Sequence, residues 1–135
     1  MAKKKTVFVK AKRKRATARA TIREGKGSVR INSKPLQVYE NPYVQTLIAE
    51  PLILAPDYAN QYDVEVNVVG GGFMGQAAAA RGAIAKALVA ITKDEKLKKR
   101  FLEYDRSMLV DDSRQVEPKK PLGRGARSVK QSSKR

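Results

Sequence analysis

The 135-residue chain has no cysteine, no histidine and no tryptophan. Without cysteine there are no disulfides, no thiolate metal ligands and no thiol nucleophile. Without histidine the side chain that titrates nearest neutrality is gone, and imidazole acid–base chemistry goes with it. Most enzyme readings fall on these two absences, so neither catalytic nor metal-binding residues nor a cofactor are expected. Aromatic residues make up only 6% of the chain, so its core must rest on Val, Ile, Leu and Ala. No apolar run approaches the roughly 20 residues of a spanning helix, and the segment Met1–Lys10 (MAKKKTVFVK) lacks the apolar stretch of a secretion signal. A cytosolic protein without membrane association is expected.

Acidic residues are also scarce. Lys and Arg number 29 against 13 Asp and Glu, a net charge of +16. Self-repulsion of that size is relieved by a polyanionic partner, and nucleic acid is the leading candidate. The charge is segregated along the chain. Residues 1–30 hold 12 basic and 1 acidic residue, residues 31–113 hold 9 and 11, and residues 114–135 hold 8 and 1. A near-neutral body with a basic edge and a basic tail fits this pattern better than a uniformly solubilising surface. The length suits one core, so one globular domain over 1–113 and an extended basic tail over 114–135 are expected.

Residues 6–11 are rich in β-branched and aromatic side chains and predict a strand. Residues 16–24 and 28–32 both alternate small or apolar with polar side chains, and Gly25-Lys26-Gly27 between them suggests a hairpin. The alternation sets Arg19 and Arg23 on one face and Ala18, Ala20 and Ile22 on the other, so one face packs while the other is free to meet phosphates. Asn41-Pro42 has the chemistry of a helix start, with Val44, Leu47 and Ile48 following at helical spacing and Pro51 expected to bend or end the helix. Residues 62–69 alternate almost strictly and predict a strand with one buried face. Residues 74–91 form an Ala-rich helix with the stripe Ala77, Ala80, Ile84, Ala87, Leu88 and Ile91. A charged helix from Asp94 to Tyr104 should lay Leu97, Phe101 and Tyr104 against the body. From Asp111 onward apolar periodicity vanishes, so the tail should be disordered when free and extended when bound.

Four motifs carry a chemical reading. Lys12, Arg13, Lys14 and Arg15 with Arg19 place five cations within eight residues, enough to neutralise several phosphates of an RNA strand. The rival reading of the tetrapeptide is a nuclear-localisation signal. In the tail, Arg114, Lys119, Lys120, Arg124, Arg127, Lys130, Lys134 and Arg135 are spread out, which suits tracking a backbone better than an address. Gly70-Gly71-Gly72-Phe73-Met74-Gly75 formally fits G-x-G-x-x-G, but a dinucleotide fingerprint needs a second parallel strand after the helix, and another charged helix follows instead. Close strand-to-helix packing is the expected use, with exposed amides available to a phosphate. Asp94-Glu95 and Asp111-Asp112 are conceivable metal ligands or paired carboxylates, but they lack convergent partners, and a negative charge at a helix start accounts for the first pair.

Lys12-Arg13-Lys14, Ala18-Arg19, Gly25-x-Gly27 with Val29-x-Ile31-Asn32, the block Gly70 to Ala77, and Ser133-Lys134-Arg135 together resemble the small-subunit ribosomal protein nine family along nearly the whole chain. Glu50-Pro51-Leu52-Ile53-Leu54, Phe73-Met74 and the run Tyr104 to Val110 resemble its archaeal and eukaryotic branch. Ala11 and Ser33 depart from the family, where Gly is common at both places. The resemblance implies an α+β fold with a four-stranded sheet packed by helices, similar to the second domain of ribosomal protein five. It implies a structural role in the head of the small subunit, in the cytoplasm, with ribosomal RNA, neighbouring ribosomal proteins and the peptidyl-site tRNA as partners. On that reading Lys12, Arg13, Lys14, Arg15 and Arg19, with the tail cations from Arg114 to Lys130, hold rRNA. Lys134 and Arg135 approach the anticodon stem-loop. A general nucleic-acid coating protein and a nucleotide-dependent enzyme using the glycine block are the rival functions.

Overall fold

The computed structural model describes residues 5–39 and 41–128. The strands are β1 (Thr6–Arg13), β2 (Ala16–Glu24), β3 (Val29–Ile31), β4 (Lys34–Pro35) and β5 (Tyr62–Val69). The helices are α1 (Pro42–Leu54), the single turn α2 (Pro56–Ala59), α3 (Phe73–Thr92) and α4 (Glu95–Tyr104), with 3-10 turns at Leu36–Val38 and Arg106–Met108. The fold is α+β, as expected, on a mixed sheet of order β1-β2-β5-β3-β4. That makes five strands rather than four, the extra one being the two-residue β4 that turns back on β3.

The sheet corrects one expectation directly. Residues 16–24 and 28–32 do not form a hairpin: β5 lies between them, antiparallel to β2 and parallel to β3. The Gly25–Ser28 connection instead steps across the start of β5. The Gly25 amide donates to the Gln61 carbonyl at 2.9 Å, and the amides of Lys26 and Ser28 both donate to Asp63 Oδ1 at 2.9 Å. Gly25 is required here by proximity, because a Cβ would sit 2.0 Å from Asp63 Oδ2. The hairpin that does form is β1–β2, closed by Lys14-Arg15 with Lys14 at φ 54°.

Alternation predicted the faces correctly. Ala16, Ala18, Ala20 and Ile22 of β2 and Val64, Val66 and Val68 of β5 are buried, while Arg19 and Arg23 are exposed. The buried face is covered by α3, which packs on β1, β2 and β5 and is flanked by α1. All six residues of the expected stripe are buried, and so are Ala79, Ala83, Ala85 and Gly82. Their small size lets neighbours approach α3 from several sides, and Ile84 and Leu88 each contribute about 1.5–3 kcal/mol by burial.

Asn41 caps α1 as expected, its side chain accepting from the Tyr43 amide at 3.0 Å. Pro51 does not end the helix, which continues to Leu54 with Pro51 buried inside it. Proline forfeits one helical hydrogen bond, and burial of its ring against the core offsets part of that loss. Leu97 and Phe101 of α4 are fully buried, but Tyr104 is 55% exposed and does not share their contact. Arg100 of α4 donates to the last α1 carbonyl, that of Leu54, at 2.8 Å.

Among the described residues the one buried charge is Arg81 on α3. It lies 2.6 Å from Glu50 of α1 and 2.9 Å from Asp105 before the second 3-10 turn. Glu50 Oε2 and Arg81 Nε make no hydrogen bond among the described residues, so the Glu50 contact is chiefly Coulombic. Periodicity did not single out Arg81, which interrupts an apolar helix without changing its pattern.

Candidate nucleic-acid interface

The basic cluster of the β1–β2 hairpin is divided by strand geometry. Lys12 lies opposite Thr17, and Arg19 lies opposite Lys10, all on the sheet face that the helices leave open. Lys14 and Arg15 are exposed at the turn. Arg13 alternates to the covered side, where it lies 3.8 Å from Asp112 and donates to the Arg114 carbonyl at 3.3 Å.

These contacts bring the root of the tail onto the hairpin. Arg13 and Asp112 form a parallel β-bridge, Gln115 donates to the Lys14 carbonyl at 3.1 Å, and Lys86 of α3 pairs with Asp111 at 2.6 Å. Asp112 accepts from the Arg114 amide at 3.0 Å and from its guanidinium at 2.6 Å. Those hydrogen bonds, with Arg13 close by, hold the Asp112 carboxyl well below the usual carboxylate range. Asp111 and Asp112 therefore serve as counterions for local cations.

Asp94 likewise caps α4. It accepts from Tyr58 Oη at 2.8 Å and from the Lys96 amide at 2.9 Å, which together lower its pKa.

Between hairpin and tail root lies a cleft of about 480 Å³, lined on one side by Arg13, Lys14 and Arg15 and on the other by the glycine block from Gly71 to Gly75. The glycines allow close approach. Gly70 has φ +78°, and a Cβ there would stand 2.5 Å from the Arg15 carbonyl. The block thus packs the β5–α3 connection beneath the turn, as expected from sequence, and α3 leads into α4 rather than into a second parallel strand. Gly72 provides no side-chain cap for α3, so the first amides of a 20-residue helix remain as donors beside the turn cations. Anions are favoured in such a place.

Lys12, Lys14, Arg15 and Arg19 have no ion-pair partner among the described residues, whereas Arg13 and Arg114 share Asp112. In the tail Lys119, Lys120 and Arg124 are exposed, and Arg127 pairs with Glu117 at 3.0 Å. Lys130, Lys134 and Arg135 lie outside the described residues. Lys10 and Gln115 join the interface without having been expected from sequence. Lys10 is recoverable from its two-residue spacing to Lys12, but nothing in the sequence marks Gln115.

Residues 11–135 match the family model described as ribosomal protein S9/S16. The chain is similar to the small ribosomal subunit protein uS9 of Methanococcus maripaludis, strains C5 and C7. Each is 44% identical over 133 residues, covering 97% of this chain and 99% of the relative.

Proposed function

The chain belongs to the ribosomal protein S9/S16 family, in its archaeal form, and from that membership we propose that it is a structural constituent of the small ribosomal subunit, working in the cytoplasm within the ribosome. It is not an enzyme. In this reading residues 1–113 bind rRNA in the subunit head, in contact with neighbouring small-subunit proteins. Residues 114–135 run out as a basic tail whose Lys134 and Arg135 meet the anticodon stem-loop of the peptidyl-site tRNA. The likeness to the second domain of ribosomal protein five belongs to the same reading, supported by the parallel β3–β5 pair joined through α1.

One observation carries this reading: the tail root is fastened along the end of β1, at Arg13, Lys14, Asp112 and Gln115. The unpaired cations of the turn thereby adjoin the start of the basic tail, which suits a ligand that is itself continuous, such as an RNA backbone. Lys12, Lys14, Arg15 and Arg19 contact rRNA phosphates directly, and Arg13 with Arg114 sets the direction in which the tail departs. Lys119, Lys120, Arg124, Arg127 and Lys130 then follow the RNA. Phosphate contacts position without reading sequence, as a site serving many tRNAs requires.

The test is to build small subunits with a chain lacking Lys134 and Arg135. Assembly is expected to proceed, while tRNA affinity at the peptidyl site falls and its salt dependence becomes shallower. Subunits that hold tRNA as tightly as wild type across a salt series would refute the tail's role. A protein that washes off small subunits in a high-salt sucrose gradient would refute the structural role itself.

A further inference from the structure

The helices cover only one side of the sheet, because the buried positions of β2, β3 and β5 all belong to one face. Among the described residues the opposite face is open. Its residues are fixed by the register: Lys10 beside Arg19 beside Asn67, Phe8 beside Thr21 beside Glu65, Lys12 beside Thr17 beside Val69, and Arg30 beside Glu65 from the other edge. Lys10, Lys12, Arg19, Arg23 and Arg30 are exposed there. Glu65 is engaged by Arg23 at 3.2 Å, and the Asp63 carboxylate is turned onto the amides of Lys26 and Ser28. Lys10, Lys12, Arg19 and Arg30 consequently have no ion-pair partner among the described residues.

One further residue on this face is out of place for a solvated surface. Phe8, one of only three phenylalanines in the chain, stands mid-strand at 77% exposure. An exposed aromatic side chain on the sheet, with Lys10 and Lys12 about 7 Å apart along the same strand and Arg19 on the next, matches the needs of unpaired nucleotides: a platform for a base and charges for successive phosphates. Thr17, Thr21 and Asn67 add hydrogen-bonding groups, and a shallow depression beside Arg30 is lined by Ser33, Glu65 and Asn67. A protein partner is less well served, because the large apolar side chains on the face among the described residues, Phe8 and Val69, belong to different strands separated by β2.

We propose that this open sheet face extends the RNA-binding surface beyond the turn-and-tail edge and takes a single-stranded segment of rRNA, with Phe8 stacked on a base and Lys10, Lys12, Arg19 and Arg30 on its phosphates. The inference rests on the rRNA-binding reading above and adds Phe8, Lys10 and Arg30 to it.

The experiment uses the full chain and a transcript of the small-subunit rRNA head, with affinity measured across a salt series. Phe8→Ala is expected to weaken binding roughly 5- to 100-fold with an unchanged salt slope, since stacking releases no counterions. Lys10→Gln with Arg30→Gln should weaken binding and lower the slope by about 1.4. All three side chains are exposed, so folding should survive, and circular dichroism checks it. A turn variant, Lys14→Gln with Arg15→Gln, serves as control. If the face variants bind like wild type while the turn variant loses affinity, the sheet-face proposal is overturned and rRNA binding stands. If the wild-type chain prefers the transcript no more than a duplex of equal length, both fall. If the face variants bind the transcript normally yet fail to enter subunits, the face serves a protein neighbour and the proposal is overturned.

Discussion

The side-chain amide of Asn32 exchanges two hydrogen bonds with the main chain of Val68, its Oδ1 accepting from the Val68 amide at 2.8 Å and its Nδ2 donating to the Val68 carbonyl at 3.3 Å. The backbone of β3 stops at Ile31 and turns away, with Asn32 at φ 50°. The carboxamide therefore extends the β3–β5 ladder one step beyond the strand. Asparagine fits because it offers a donor and an acceptor together and tolerates left-handed backbone better than most residues. Asn32→Ala is expected to lower unfolding free energy by about 1–3 kcal/mol. Asn32→Asp, which retains only the acceptor, should also be destabilising. Urea unfolding of the two variants checks this, and an unchanged midpoint for Asn32→Ala would count against it.

Ser33 follows in the same two-residue turn at φ 69°, a conformation a Cβ resists and glycine accepts. Ser33→Gly should raise stability by about 0.5–1 kcal/mol. Ala11 behaves differently although it also stands where the family commonly has glycine. It is a buried residue within β1, close above Gly82 of α3. Ala11→Gly should therefore destabilise, so the two substitutions are expected to move the thermal midpoint in opposite directions.

Removing Arg81 would leave Glu50 and Asp105 facing each other without their cation. Arg81→Met is expected to cost about 3–5 kcal/mol, because an uncompensated charge is worse than a missing pair. Adding Glu50→Gln to that variant should recover part of the loss. The two single variants and the double variant, measured by denaturant unfolding, form the cycle that tests it. Additive losses would show that Glu50 and Arg81 do not interact energetically.

Asp63 carries the pH dependence of the β2–β3 crossing. Hydrogen bonds from the Ser28 and Lys26 amides lower its pKa, so the folded state favours the carboxylate. Its contribution is present above the unfolded value of about 3.9 and is lost as pH falls through the lower folded value. The stability gap between wild type and Asp63→Asn should be constant near neutrality and shrink below about pH 4. A gap that widens on acidification would contradict the assignment. Gly25→Ala should resemble Asp63→Asn, since the new Cβ displaces the carboxylate from both amides.

Tyr104 apart, the sequence by itself determined which face of each strand and of α3 and α4 turns inward, because a period of two or of 3.6 is a property of local backbone geometry. The buried sets of β2, β5 and α3, the caps Asn41 and Asp94, and the packing role of the glycine block all follow from that kind of local rule. Strand partners do not. The alternation of residues 28–32 names a face but no neighbour, and β5 rather than β2 became the partner of β3, pairing its backbone with both strands and with Asp63 placed to bind the crossing amides. The cations follow the same division. Their number and spacing were plain in the sequence, but the tertiary structure decided that Arg13 would turn under the sheet to a carboxylate 99 residues away, at Asp112, while Lys12 beside it was left for solvent or RNA. Which charge is spent within the fold depends on what the chain brings within a few ångströms, and only long-range packing sets that distance.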